Sequence, residues 1–373
     1  MRTAIIELSK DALLHNIKFI KNKIGKANIM AMLKADAYGH DSVQISKILQ
    51  DNAKDLIGLI GVARIKEALI LKQSGINIPI VLIQGILSQE ELNLAVKNNF
   101  SVVIYNNYQL ELLSNLPNNS LCKIWLKFDT GMNRLGFRVI NNKKLNTSSL
   151  SSIKQVIDNL HLAKKIDFDV GLMSHFSCAA DSDSNITLMQ RHHFKILANN
   201  WNGSKSIANS AAILSQDDSY YEWVRPGIML YGISPFEKKT GINLGLKPVM
   251  SFKAFILDVK LLHKGDYVGY GAKYCCPKDI KAAVISVGYG DGYPWSDNSK
   301  SYVFYKDRKV RILGAISMDM MVVDCSDIPD ISIGDKVELW GNNIPVEKIA
   351  HIFNTIPYEL ITKITSRVDK VII

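Results

Sequence analysis

A chain of 373 residues, 47% of them hydrophobic, has enough apolar side chain to bury the core of two domains, or of one barrel with an appended domain. Its formal net charge of +10 admits an anionic partner, but the lysines are scattered without a block of about five like charges, so the charge reads as attraction for small anionic substrates and not as a nucleic-acid interface. No apolar run approaches the roughly 18 residues that span a membrane, the opening MRTAIIELSKDALLHN lacks the pattern of a secretory leader, and the 5 cysteines fit neither a disulfide framework nor a metal-ligand spacing, so a cytoplasmic protein without membrane, nucleic-acid or metal partners is expected.

In chain order, the first predicted element is a helix after Ser9, a plausible N-cap, with Leu13, Leu14, Ile17, Ile20 and Ile24 on one face. Short apolar runs then follow at 29–33, 56–62, 78–84, 102–105, 122–128, 168–173, 205–208 and 223–231. They are rich in Ile, Val and Leu without clean alternation, as parallel strands buried on both faces should be. Amphipathic stretches lie between them. Gly75 stands where a helix from Arg64 would end, and Ser88 with Glu91 has capping-box spacing. Such a succession predicts an α/β fold, an N-terminal (β/α)8 barrel, whose chemistry should sit at the carboxyl ends of the strands. Lys34, Arg134, His175, Asn209, Ser210 and Arg225 all fall there.

After Gly232 the texture changes. Residues 234–245 mix Pro, Gly, Lys and Asn and read as a linker. Beyond it come SFKAFILDVKLL, AAVISVGYG, SYVFYK, KVRILGAIS, MVVDC and KVELWG, which predict an all-β domain ending in a short helical tail near Ile361. The expected division is a barrel over 1–236, whose first few residues pair with the β-domain, and a β-domain over 237–373. His192 and His193 read as solvated residues of an amphipathic helix, and Met318, Met320 and Met321 as packing residues.

A lysine at the end of a buried strand, as in MLKADAYGH, is costly to desolvate as a cation. It becomes tolerable if the amine deprotonates or is consumed in an imine. Tyr38 and Gly39 follow in a loop suited to a phosphate or ring contact. At this point the chain resembles the alanine racemases, pyridoxal-phosphate enzymes of fold-type III. The resemblance rests on MLKADAYGH, KFDTGMNRLG, MSHF, IANSAA, VRPGIMLYG, GYGAKY, GYGDGY, ISMDM and NTIPYEL, met in the family's order over essentially the whole chain.

The resemblance implies a pyridoxal 5'-phosphate enzyme that interconverts L- and D-alanine, supplying D-alanine for peptidoglycan. Inversion takes a proton from one face of the substrate and returns one to the other, which two opposed bases achieve without turning it over. By resemblance these are Lys34, which also carries the cofactor, and Tyr270. A tyrosine, with an ordinary pKa of about 10, is a poor base unless positive charge or donors stabilise its phenolate. His175 is expected to contact Tyr270, and Arg225 to contact His175 and face the pyridine nitrogen. An arginine does not readily give up its proton, so the ring nitrogen would stay unprotonated and the ring a weaker electron sink. Tyr38, Asn209, Ser210, the backbone of Gly227 and Ile228, and Tyr358 are expected around the cofactor and its phosphate. Arg134 and the Met318 amide are expected to anchor the substrate carboxylate. Lys127, carbamylated in relatives, would clamp Arg134; Tyr289 would narrow the substrate entrance, with Asp319 in support. The family also implies a head-to-tail homodimer with shared active sites.

Some positions depart from the family's pattern: Ser317 and Met320 around Met318, Gly290, Gly269, and Trp295 after Pro294. They touch neither base but bear on pocket size and entrance polarity. The sequence leaves open a racemase of wider range, acting on serine or basic amino acids. More distant are a fold-type III amino-acid decarboxylase, against which VRPGIMLYG and GYGDGY argue, and a pyridoxal-phosphate carrier, which would lack the β-domain.

Overall fold

The structure, a computed structural model, describes residues 4–141, 144–145, 147–181, 183–296 and 301–373. The chain forms two compact units. One comprises Ile17–Ala37 and Ser42–Leu230; the other Met1–Asn16, Tyr38–Asp41 and Tyr231–Ile373.

The first strand, β1 (Ala4–Leu8), belongs to the second unit. The first unit is a barrel of parallel strands: β2 (Asn28–Met32), β3 (Ile57–Val62), β4 (Ile80–Leu82), β5 (Ser101–Ile104), β6 (Ile124–Asp129), β7 (Gly171–Met173), β8 (Lys205–Ser206) and β9 (Trp223–Val224). The hydrogen-bonded order runs β8-β7-β6-β5-β4-β3-β2-β9. The expected eight-stranded barrel is therefore present. Its seam between β8 and β9 is closed by a parallel bridge from Asn209 to Arg225, and by the Ser206 hydroxyl, which donates to the Trp223 carbonyl at 2.8 Å. β2, β4 and β5 are almost wholly buried, as strands covered on both faces must be.

Local signals behave as their chemistry dictates. The Ser9 hydroxyl accepts the Ala12 amide, and Gly75 adopts the left-handed conformation (φ +84) that ends a helix. Ser88 caps the helix Gln89–Lys97 by accepting the Glu91 amide, but the Glu91 carboxylate reaches one residue further back, to the Leu87 amide.

Three expectations for this unit need correction. The run 223–231 is not one strand: β9 stops at Val224, and a 3-10 helix spans Ile228–Tyr231. Pro226 has no amide to donate to a ladder, and its carbonyl instead accepts the Met32 amide at 3.0 Å. The run 168–173 is strand only over Gly171–Met173; Phe168 is exposed and stacks on His161. His193 is buried in the helix Asn185–Asn199, and only His192 is solvated.

In the second unit, β1 joins β10 (Met250–Leu262), β11 (Ile280–Ile285), β12 (Tyr302–Tyr305), β13 (Arg308–Leu313), β14 (Met321–Asp324), β15 (Lys336–Trp340) and β16 (Asp369–Ile372) in one sheet, ordered β11-β14-β13-β12-β15-β10-β1-β16. β10 is 13 residues long and also pairs with β11, its register slipping at Phe252/Lys253 and Ile256/Asp258 so that it bends to meet β1, β15 and β11. Trp340 seals this core edge-on against Phe252, with Tyr293 stacked on it at 5.9 Å. The expected helical tail is corrected: the helix Pro357–Thr362 is followed by β16, which pairs in parallel with β1. Nor are residues 234–245 a loose linker, for the Glu347 carboxylate accepts the amides of Ser234 and Gly241.

Candidate active site

β2 delivers Lys34 to the carboxyl end of the barrel. The four residues after it, Ala35, Asp36, Ala37 and Tyr38, have φ between +52 and +55, a single left-handed helical turn closed by the Ala37 amide on the Leu33 carbonyl. Each non-glycine residue in that conformation costs roughly 1–2 kcal/mol. Such a turn persists only where its surroundings over-determine it. Gly39 follows at φ +81, where a Cβ would lie 2.0 Å from the Ile361 carbonyl oxygen, so no other residue fits.

The neighbouring strands bring further cations. Lys127, on β6, is 6% exposed; Arg225, just past β9, is 5% exposed. Arg134 stands in the loop after β6, shaped by one carboxylate. Asp129 accepts the amides of Gly131, Met132 and Asn133 on one oxygen and that of Arg134 on the other, at 2.9–3.1 Å. The Lys34 amine is held below its ordinary pKa by burial and by Arg134, with Arg225 adding and Glu67 opposing. Burial and the charges of Arg225, Arg134 and Lys34 push Lys127 down to about 8. Like charges packed together lower the basicity of both amines.

Arg225 donates to the Ser206 hydroxyl at 2.6 Å, to the carbonyls of Ser174 at 2.5 Å and Ile207 at 3.3 Å, and to His175 Nδ1 at 3.1 Å. Burial lowers the guanidinium to about 9, still above neutral pH, so it keeps its charge. A guanidinium has no acceptor, so Nδ1 of His175 must accept and the neutral ring carries its proton on Nε2. Burial and the surrounding cations, Arg225 foremost, keep His175 well below the usual imidazole range.

Asn209 caps the helix Ser210–Ser215, its side chain accepting the Ala212 amide. Ser210 is left to hold the loop after Arg225: its hydroxyl accepts the amides of Gly227 at 2.9 Å and Met229 at 3.4 Å. Ile228 is buried beside them.

The remaining expected residues lie in the second unit. Tyr38 is buried between Tyr231 and Tyr358, ring centroids 5.2 and 6.1 Å away. Burial pushes the Tyr38 hydroxyl up and that of Tyr358 up to about 12, so both stay protonated donors. Tyr270 opens a 3-10 turn flanked by Gly269 and Gly271 at positive φ and is 77% exposed. Its loop lies against Ala315, where a Cβ on Gly269 would come within 3.3 Å of the carbonyl. The amides of Tyr289 and Gly290 donate to the carbonyls of Ser317 and Met318. Tyr270, Tyr289 and Met318 therefore ride on adjoining segments, all outward-facing. Asp319 is engaged by Arg367 at 2.6 Å, which also reaches Asp291 at 3.4 Å and so fixes the Met318 segment.

The sequence reading missed Glu67, Asp129, Ser174 and Ser206. Asp129 had a signal, since an Asp ahead of Thr-Gly-Met-Asn has the composition of a turn closed by its own side chain. Among the described residues no group of His, Cys, Asp and Glu could hold a metal ion, and no helix is long and apolar enough to cross a membrane.

A parallel barrel that gathers two lysines with lowered pKa and two arginines at its carboxyl end is suited to hold an anionic group beside an amine of reduced basicity. Such a site defines a class of anion-binding barrel enzymes with an amine available for chemistry. Comparison with known proteins gives the family. The alanine racemase N-terminal domain matches residues 8–235 and the C-terminal domain residues 249–372. The alanine racemase of Aliivibrio salmonicida is 37% identical over 369 residues, 99% of each chain. Among solved structures, alanine racemase from Acinetobacter baumannii superposes with a TM-score of 0.88 at 33% identity, covering all of both chains. That from Bartonella henselae, with covalently bound pyridoxal phosphate, gives 0.84 at 28% identity over the same extent. The chain belongs to the alanine racemase family.

Proposed function

We propose that this enzyme inverts alanine with Lys34 and Tyr270 as bases on opposite faces of the substrate, in the cytoplasm and as a homodimer. Its activity is that of its family, interconversion of L- and D-alanine with pyridoxal phosphate. The observation that carries the assignment of Lys34 is its place at the end of β2 with a pKa held down among cations. An amine held below its ordinary pKa gives up its proton more readily, which suits both attachment to an aldehyde and proton transfer.

The residues present fit the cofactor. The cationic cluster of Lys127, Arg134 and Arg225 answers its anionic charge and that of the substrate carboxylate, and the Ser210 hydroxyl and the Ile228 backbone are neutral donors of the kind a phosphate takes, as, in the second unit, are the hydroxyls of Tyr38 and Tyr358. When bound, pyridoxal phosphate supplies an electron-withdrawing ring that delocalises the charge left on Cα. Arg225, held in four hydrogen bonds, would face the ring nitrogen as a fixed donor. Asn209 and His175 flank it. Arg134, its loop shaped by Asp129, would take the substrate carboxylate with the Met318 amide. Lys127, neutral above about pH 8, can add carbon dioxide and release a proton, giving a carbamate anion to hold Arg134.

In the L-to-D direction Tyr270, as phenolate, would accept the α-proton and Lys34, as ammonium, would deliver one to the opposite face; the turnover leaves Tyr270 one proton richer and Lys34 one poorer, a difference that proton exchange with solvent resets. The outward-facing Tyr270, Tyr289, Met318 and Trp295 favour a dimer in which the partner subunit's Tyr270 completes each site, supported by His175, with Tyr289 at the entrance and Asp319 steadying Met318. Borohydride reduction of the yellow holoenzyme followed by peptide mapping tests the reading. A label on Lys34 is expected, and a label on another lysine would overturn it.

A further inference from the structure

Glu67 lies near the start of the helix Ile65–Gln73, in a position that reads as part of a solvated helix face, and neither the sequence reading nor the roles above use it. One of its carboxylate oxygens accepts the Ala35 amide at 2.8 Å; the other accepts the amides of Ala63 at 2.7 Å and Arg64 at 3.0 Å. Ala35 is the residue immediately after Lys34 and the first of the left-handed turn. A single side chain thus ties the strained backbone that carries Lys34 to the loop after β3.

We infer that Glu67 is a positioning residue for Lys34, locking the left-handed turn in register and setting one negative charge against the cations around the amine. This rests on the reading that Lys34 carries the cofactor. Three backbone donors converge on the Glu67 head group, and only a carboxylate is acceptor on both oxygens. A glutamine would turn its amide nitrogen towards at least one N–H and leave that donor unpaired. The turn needs such a partner, because a run of left-handed residues reverts to ordinary conformations when released. The second half of the role is electrostatic. Arg134, Arg225, Lys127 and His175 surround Lys34 from the strands β6, β7 and β9 and the loop after β6; Glu67 is the carboxylate acting on the amine from the β3 side. Removing its charge makes Lys34 less basic.

The test begins with holoenzyme of wild type, Glu67→Gln, Glu67→Asp and, as control, Glu90→Gln on the exposed face of the neighbouring helix. Cofactor is released with hydroxylamine, and rebinding of pyridoxal phosphate is followed by absorbance between pH 6 and 10. Borohydride mapping of the rebound protein identifies the lysine used. Glu67→Gln is expected to lower the plateau rebinding rate about tenfold. It should also move the midpoint about half a pH unit towards acid. Glu67→Asp keeps the charge but is too short to span all three amides, so its plateau falls while its midpoint stays. Glu90→Gln matches wild type. Should Glu67→Gln fail to fold, the Glu67→Asp plateau carries the test. Wild-type plateau and midpoint in the Glu67 variants, with the label on Lys34, overturn the inference. A wild-type label on another lysine overturns the Lys34 assignment instead.

Discussion

The carboxyl end of the barrel and the exposed tip of the β-domain contribute to the proposed chemistry in opposite ways. At the barrel end three of the four cations are fixed from within their own unit: Arg225 by Ser206, Ser174, Ile207 and His175, the Arg134 backbone through the Asp129 loop, Lys34 through the turn that Glu67 holds. At the tip, Tyr270, Tyr289, Met318 and Trp295 stand 77%, 42%, 51% and 60% exposed, with fixed backbones but apolar surface turned outward. The buried cations Lys127 and Arg225 are eased by a neighbouring anion or by loss of a proton, whereas the tip exposes several apolar groups on adjoining segments. The first region suits an anionic ligand; the second carries the exposed apolar side chains on which the proposed dimer would rest.

The comparison breaks most sharply if Lys34 proves replaceable. Lys34→Ala is expected to lower kcat for alanine by about 10,000-fold or more, read by polarimetry at saturating cofactor. Arg225→Ala comes next. It leaves the Ser206 hydroxyl and the Ser174 carbonyl short of a partner in a buried site, so chemical denaturation should show a loss of about 2–3 kcal/mol. An equal loss from Arg191→Ala, whose partner Asp218 is exposed, would remove the distinction between this cluster and the surface.

Lys127 sharpens the comparison through pH. Its pKa falls on folding, from 10.5 to about 8, so between those values the unfolded chain binds more protons and stability rises with pH. The stability of the cofactor-free protein, wild type minus Lys127→Met, should therefore climb between about pH 8 and 10.5 and flatten above, as measured by urea denaturation. A difference that falls over that window contradicts a buried neutral amine. The smallest effect belongs to the tip. Tyr289→Ala should weaken self-association about tenfold in sedimentation equilibrium while leaving the melting of the monomer unchanged.

How far the sequence disclosed this arrangement depends on the range of the forces involved. The barrel strands are legible because burial on both faces leaves continuous apolar runs, and the sheet of the second unit because its runs alternate. The run 223–231 misleads because Val224, Ile228 and Leu230 are apolar in a loop that turns at Pro226. His193 misleads because a polar ring on an amphipathic helix gives no sign of which turn faces inward. Asn209 and Ser210 are adjacent, and either could cap; only the backbone decides. Glu67 was illegible for a different reason. Its partners Ala63 and Arg64 are near in sequence, but Ala35 is 32 residues away, and a glutamate on a helix face looks the same whether it is solvated or tying down a distant amide.

The central claim, two bases on opposite faces, is tested most directly by solvent-deuterium incorporation at Cα in Tyr270→Phe that still binds cofactor. Exchange from L-alanine should collapse while exchange from D-alanine, served by Lys34, largely persists. Equal losses for the two enantiomers would contradict the account.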